Sequence, residues 1–167
     1  MDADGFDEFC RRETPSVVGL LIKSGYGRDD ALDATQYAMA EAFVKWNDLQ
    51  FPGRWVRTVA LHAAAKIARA RNREHQSMTE GCWLTVGHDG VDRTAVVESR
   101  DGILVWLLTL PAQRRKVVAL SMDEFTANEI AAILALKPAT VRSHLRHVRN
   151  SLLENPDILN KITGIEV

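Results

Sequence analysis

A three-residue interruption in an otherwise regular helical period constrains this chain most. Upstream of it, "FTANEIAAIL" sets Thr126 and Glu129 at T-x-x-E spacing, where each side chain bonds the other's backbone N–H at a helix start. Ile130, Ala131, Ile133 and Leu134 then give a short inward face. The period stops at Ala135-Leu136-Lys137, and Pro138 suits the first turn of a new helix, where its missing N–H has no partner to lose. From Pro138 to about Leu152, Val141, Leu145, Val148 and Leu152 recur at i, i+4, i+7 and i+11, one apolar stripe. Arg142, Arg146 and Arg149 repeat that spacing one residue later, about 100° around the axis. A solvated helix face usually mixes both signs, yet "KPATVRSHLRHVRNSL" holds four basic side chains and no acid. A short helix, a three-residue turn and a longer helix with outward Arg is the helix-turn-helix pattern, whose second helix presents its early residues to base edges in the major groove. Thr140, Arg142, Ser143, His144, Arg146, His147 and Arg149 are the candidate contacts on this helix. Arg suits bidentate contact with guanine or with phosphate oxygens. From these residues alone, an αα-hairpin with a solvated basic face is the alternative.

The rest of the chain is also helical in pattern, so the expected class is all-α: two small helical domains joined by a flexible linker, the C-terminal one containing the helix-turn-helix. Phe6, Phe9 and Cys10 begin one periodic segment, and Pro15 fits the first turn of a second carrying Val17, Val18, Leu20 and Leu21. "SGYG" breaks it. "RDDALDATQYAMAEAFVKW" follows, with Asp29 and Asp30 where a helix N-terminus favours acids and Leu32, Gln36, Met39, Phe43 and Trp46 expected inward. After "NDLQFPG", a helix is expected from about Arg54 to Arg73 with Trp55, Val59, Ala63 and Ile67 inward. "HQSMTEGCWLTVGHDGVDRTAVVES" is polar and aperiodic and reads as linker, with Trp83, Leu84 and Val86 docking it locally. The division is residues 1–75, a linker at 76–100, residues 101–155, and a tail at 156–167.

Charge is distributed more tellingly than its sum of −1. Residues 1–48 hold ten acids and five bases, residues 54–73 hold six bases and no acid, and residues 137–150 hold four bases and no acid. Two basic segments in a neutral chain imply two anion-binding surfaces, with other faces left for protein contacts. No apolar run approaches the roughly 18 residues that cross a bilayer, and the opening "MDADGFDEF" is acidic where a secretory signal begins basic. Cys10 and Cys82 are too few and too far apart for a disulfide framework or a Cys-type zinc site. A reduced, cytoplasmic protein with no membrane association is expected. The acids do not cluster with His at metal-ligand spacing, and there is no phosphate-binding Gly loop or nucleophile elbow. No metal, cofactor or catalytic residue is expected, and the chain does not read as an enzyme.

Several of these segments, taken in order, resemble the extracytoplasmic-function (ECF) sigma factors of bacterial RNA polymerase. In the C-terminal block the resemblance runs through "LPAQRRKVVAL" (Leu110, Pro111, Arg115, Val117, Leu120), "NEIAAIL" and "ATVRSHLRHVR". In the N-terminal block it runs through "FDEFCRRETPSVV", "DALDATQYAMAEAFVKW" and "GRWVRTVALHAAAKIARARNR", and it covers roughly residues 5–154. The resemblance implies a transcription initiation factor that binds core polymerase and directs it to promoters. The C-terminal helix-turn-helix would read the −35 element and dock on the β flap. The N-terminal domain would dock on the β′ coiled coil through Asp33, Gln36, Tyr37 and Ala40. It would capture the melted −10 element with Asn47, Arg54, Trp55, Arg57, His62 and Lys66. Trp46 and Trp55 lie on the expected apolar stripes, so packing competes with base stacking for both. An anti-sigma factor is a further implied partner. The chain departs from the family in a shorter "NDLQFPG" turn, in His62 where Asn is frequent, in Ala135 where Gly is usual, and in His144 where Arg is usual. The competing reading is a stand-alone helix-turn-helix regulator binding a palindrome as a dimer. That reading leaves the N-terminal basic segment unexplained.

Overall fold

The computed structural model describes residues 3–78 and 102–154. The chain forms two compact units, one of Met1–Ile22 with Tyr26–Asp92 and one of Arg93–Val167 with Lys23–Gly25. Among the described residues the regular structure is helical throughout. The first block of helices is α1 (Ala3–Lys23), α2 (Arg28–Val44), a single 3₁₀ turn (Trp46–Asp48) and α3 (Pro52–Met78). The second is α4 (Gly102–Thr109), α5 (Ala112–Met122), α6 (Ala127–Leu134) and α7 (Pro138–Glu154). No described helix is long and apolar enough to cross a membrane.

Helix α1 corrects the expected break at Pro15, which lies inside one continuous helix. Phe6, Phe9, Val17, Leu20 and Leu21 are all buried, so the apolar stripe keeps its phase across the proline. Burying five large side chains outweighs one lost backbone bond and a ring clash of about 3 kcal/mol.

Helices α2 and α3 pack on each other, and both turn inward a face one residue away from the expected one, except that Met39 on α2 is buried as expected. On α2 the buried residues are Asp30, Ala31, Ala34, Thr35, Ala38, Met39 and Ala42, whereas Gln36 and Phe43 are exposed. On α3 they are Val56, Ala60, Leu61 and Ala64, with Trp55, Val59, Ala63 and Ile67 only half-buried. Alanines on both facing surfaces let two backbones approach closely, so the seam is made of the smallest side chains rather than the largest. Helix α3 also runs to Met78, past its expected end near Arg73. The expected docking residues Trp83, Leu84 and Val86 and the tail at 156–167 lie outside the described residues.

The second unit centres on Leu107, Val118 and Val148, with Ile103, Trp106, Leu110, Leu145 and Leu152 packed against them. Arg115 is buried here, and its guanidinium donates to the carbonyls of Leu107 (3.0 Å), Leu108 (3.3 Å) and Leu110 (2.9 Å). Leu107 and Leu108 lie in the last turn of α4 and Leu110 just beyond it, where carbonyls lack helical donors and a cation complements the helix dipole. A buried charge is tolerated because it closes a helix end.

Candidate nucleic-acid interface

The C-terminal surface is built from α6, its turn and α7. Thr126 Oγ1 accepts from the Glu129 backbone N–H at 3.3 Å, and Glu129 Oε2 accepts from the Thr126 N–H at 2.7 Å, completing the expected capping box. Ile130 and Ala131 bury the short helix. At its end Ala135 adopts φ 53°, ψ 44°, the left-handed region, while the Leu136 N–H donates to the Ala131 carbonyl at 2.8 Å. This six-to-one closure reverses the chain in three residues. Thr140 and Val141 N–H groups then donate to the Lys137 carbonyl (2.9 and 3.2 Å), which starts α7.

On α7, Val141 and Val148 are buried and Leu145 and Leu152 pack on the core cluster, so the apolar stripe falls where its period placed it. Arg142, Ser143, Arg146, His147 and Arg149 are exposed; Thr140 and His144 are half-buried. His144 turns Nε2 inward, where that nitrogen is buried and makes no hydrogen bond among the described residues. Its ring therefore lies nearer the packed side than the arginines do. The outcome is a helix locked by one stripe and open along the next, with three guanidinium groups and no carboxylate among the exposed residues from Lys137 to Asn150.

The N-terminal surface forms around the turn between α2 and α3. Trp46 is anchored by the rings of Phe6 and Phe9, with centroids 5.1 and 5.0 Å away, so it packs. Trp55 is half-buried with Lys45 Nζ 5.4 Å from its ring centroid, a cation–π contact. Asn47, Arg54, His62 and Lys66 are exposed on the turn and on α3. Arg57 is held inside the unit by Glu13, Ser16 and the Gly53 carbonyl. Burial alone would raise the Glu13 carboxyl. Hydrogen bonds from Arg57 and Arg12, with their charges, outweigh it and hold the group below the ordinary carboxylate range. Farther along α3, Arg71 pairs with Asp30 at 2.6 Å.

Two features escaped sequence reasoning. Phe51 is 65% exposed at the end of the turn, and its signal was available as an aromatic beside Pro52 that belongs to no helical stripe. Val44 is 80% exposed on α2 and extends the row formed by Asp33, Gln36, Tyr37 and Ala40. Those four are exposed together on one helical face, opposite the alanine seam. Among the described residues no group of acids, His and Cys is placed to hold a metal.

Two helical units, one bearing a helix-turn-helix with an arginine-lined second helix, define an all-α helix-turn-helix class of protein. Residues 102–152 match the family described as sigma-70, region 4. Over 170 residues the chain is 26% identical to the ECF RNA polymerase sigma factor SigM of Mycobacterium tuberculosis, covering 99% of this chain and 83% of that protein. The same identity and coverage hold for SigM from a second strain of that organism. The fold is similar to that of the sigma factor RpoE solved in complex with the anti-sigma factor NepR from Bartonella quintana. The TM-score is 0.65 at 18% identity, over 99% of this chain and 100% of that one. The family match covers the C-terminal helices, and the chain as a whole is similar to ECF sigma factors over 99% of its length.

Proposed function

We propose that this chain is a sigma factor that initiates transcription by joining two weak nucleic-acid surfaces through core RNA polymerase. The observation that carries this reading is α7, with Arg142, Arg146 and Arg149 exposed beside a buried stripe. That helix reads the −35 duplex: Arg142 and Arg146 contact base edges or phosphate, and Thr140, Ser143, His147 and Arg149 line the same approach, with His144 set back toward the packed side. The N-terminal surface takes the melted −10 strand. Asn47, Arg54, His62 and Lys66 supply polar and cationic contacts, and Phe51 offers an exposed ring for an unstacked base. Trp55 contributes through its half-buried edge.

The exposed row Asp33, Gln36, Tyr37, Ala40 and Val44 docks on the β′ coiled coil, and the C-terminal unit docks on the β flap. Apolar Tyr37 and Val44 amid polar neighbours suit such a contact. The NepR complex of the RpoE relative supports an anti-sigma partner for this chain as well. The domains divide as 1–75 and 101–155, joined by a linker and followed by a tail. The factor makes no covalent change to DNA or nucleotide, and it works in the cytoplasm where polymerase and promoter are. Transcription by purified core polymerase, on promoters drawn from a randomised library with and without this protein, tests the proposal. Initiation at a shared sequence only in its presence is expected, and none at any sequence contradicts it.

A further inference from the structure

We infer that Glu13, on α1, is a positioning residue for the turn carrying Asn47 and Phe51, acting through Arg57 rather than on nucleic acid; this deepens the proposed role of the N-terminal surface, on which it rests. Arg57 Nη1 donates to Glu13 Oε2 at 2.7 Å and to the Gly53 carbonyl at 3.0 Å, while Nη2 donates to Ser16 Oγ at 2.9 Å. The Arg57 and Glu13 side chains are only 17% and 15% exposed. One guanidinium thus ties the first turn of α3 to two residues of α1. The approach is close: a Cβ on Gly53 would lie 3.2 Å from Arg57 Nη1 and 3.4 Å from Glu13 Oε2, so the absence of a side chain at this position is part of the arrangement.

The other end of the turn is fixed to the same helix, because Trp46 packs on Phe6 and Phe9. Between these two anchors stand the exposed Asn47 and Phe51. A loop clamped at both ends presents its contact groups with less entropy still to lose on binding. Moving Arg57 to a phosphate would leave the half-buried Glu13 carboxylate with only the exposed Arg12, at 3.1 Å, and would release Gly53 and Ser16 as well, a cost set against the new contact. A basic residue on a DNA-facing helix is therefore assigned to holding the turn, and an acid on a different helix becomes part of the −10 machinery.

Full-length Glu13→Gln, Arg57→Gln and the double variant test this in two measurements. Hydrogen exchange of amides between Asn47 and Arg54 should accelerate about tenfold in each single variant, and no further in the double. Initiation by polymerase loaded with each variant should fall about tenfold alike, again with no added loss in the double. The salt slope for holoenzyme capture of a non-template single strand should stay unchanged. Additive effects would overturn the inference. So would a silent Glu13→Gln beside an Arg57→Gln that flattens the salt slope by about 0.7, the mark of a lost single-strand phosphate contact. If the wild type fails to initiate at all, the sigma reading of this site fails, and the exchange measurement still decides whether Glu13 positions the turn.

Discussion

Ala135 and Glu124 both sit in the left-handed region, at φ 53° and φ 63°, although neither is glycine. Each follows a helix whose end is closed by a six-to-one bond, Leu136 to Ala131 at 2.8 Å and Phe125 to Leu120 at 3.1 Å. The Cβ at such a position costs about 1 kcal/mol, partly offset by the lower unfolded-state entropy of a non-glycine residue. Ala135→Gly should therefore stabilise the C-terminal unit by no more than about 0.5 kcal/mol, read as a rise of at most a few degrees in its melting temperature. Glu13 adds a pH dependence in the N-terminal unit. Its folded-state pKa lies below its unfolded value, so its stabilising contribution is present above the unfolded pKa and lost as pH falls through the folded one. Melting of Glu13→Gln should lie below wild type at neutral pH, and the gap should close in acid. Charge on α7 gives the third expectation at this scale. Replacing both Arg142 and Arg146 with Ala should leave the fold intact, since both are exposed, and abolish promoter-specific initiation. Each base-reading Arg is worth about 1–3 kcal/mol of discrimination. Full activity in that double variant would contradict the recognition role.

Helix α7 was legible in sequence because its two stripes differ in kind: one apolar, one cationic, each at the helical period. Leu145 packs on the Leu107–Val118–Val148 cluster. Leu145→Ala should cost roughly 2–3 kcal/mol, the low end for leucine because it is only partly buried, visible in thermal melts of the full chain. The α2–α3 seam was not legible, and the reason is physical. Its inward residues are mainly alanines, which carry little hydropathy contrast, while the larger Phe43 and Trp46 take their packing from Phe6 rings at 5.0 and 5.1 Å. A search for bulky side chains thus reads the face one residue away. In α1 the proline signal was real but local, and the continuous stripe from Phe6 to Leu21 prevailed over it. At the turn after α2, sequence marked the arginines alike. Only packing separates Arg57, held by Glu13, from the exposed Arg54.

At the scale of the whole molecule, charge sets how the surfaces can act. Residues 1–48 carry ten acids against five bases, beside a basic stretch at 54–73 and a second at 137–150. Duplex affinity grows with the number of phosphates neutralised, with a log–log salt slope near −0.9 for each. A single helix making about three such contacts binds weakly at physiological salt. On the proposed function, the N-terminal surface finds its ligand only where strands have separated, since an exposed ring and single-strand phosphates are what it suits. In the proposed mechanism core polymerase converts the two into one linked event at high effective concentration. The most direct measurement is a titration of duplex promoter at physiological salt, with the protein alone and with the protein bound to core polymerase. Weak, sequence-indifferent binding alone and tight, promoter-specific binding with polymerase are predicted; tight, sequence-specific binding by the protein alone would contradict the account.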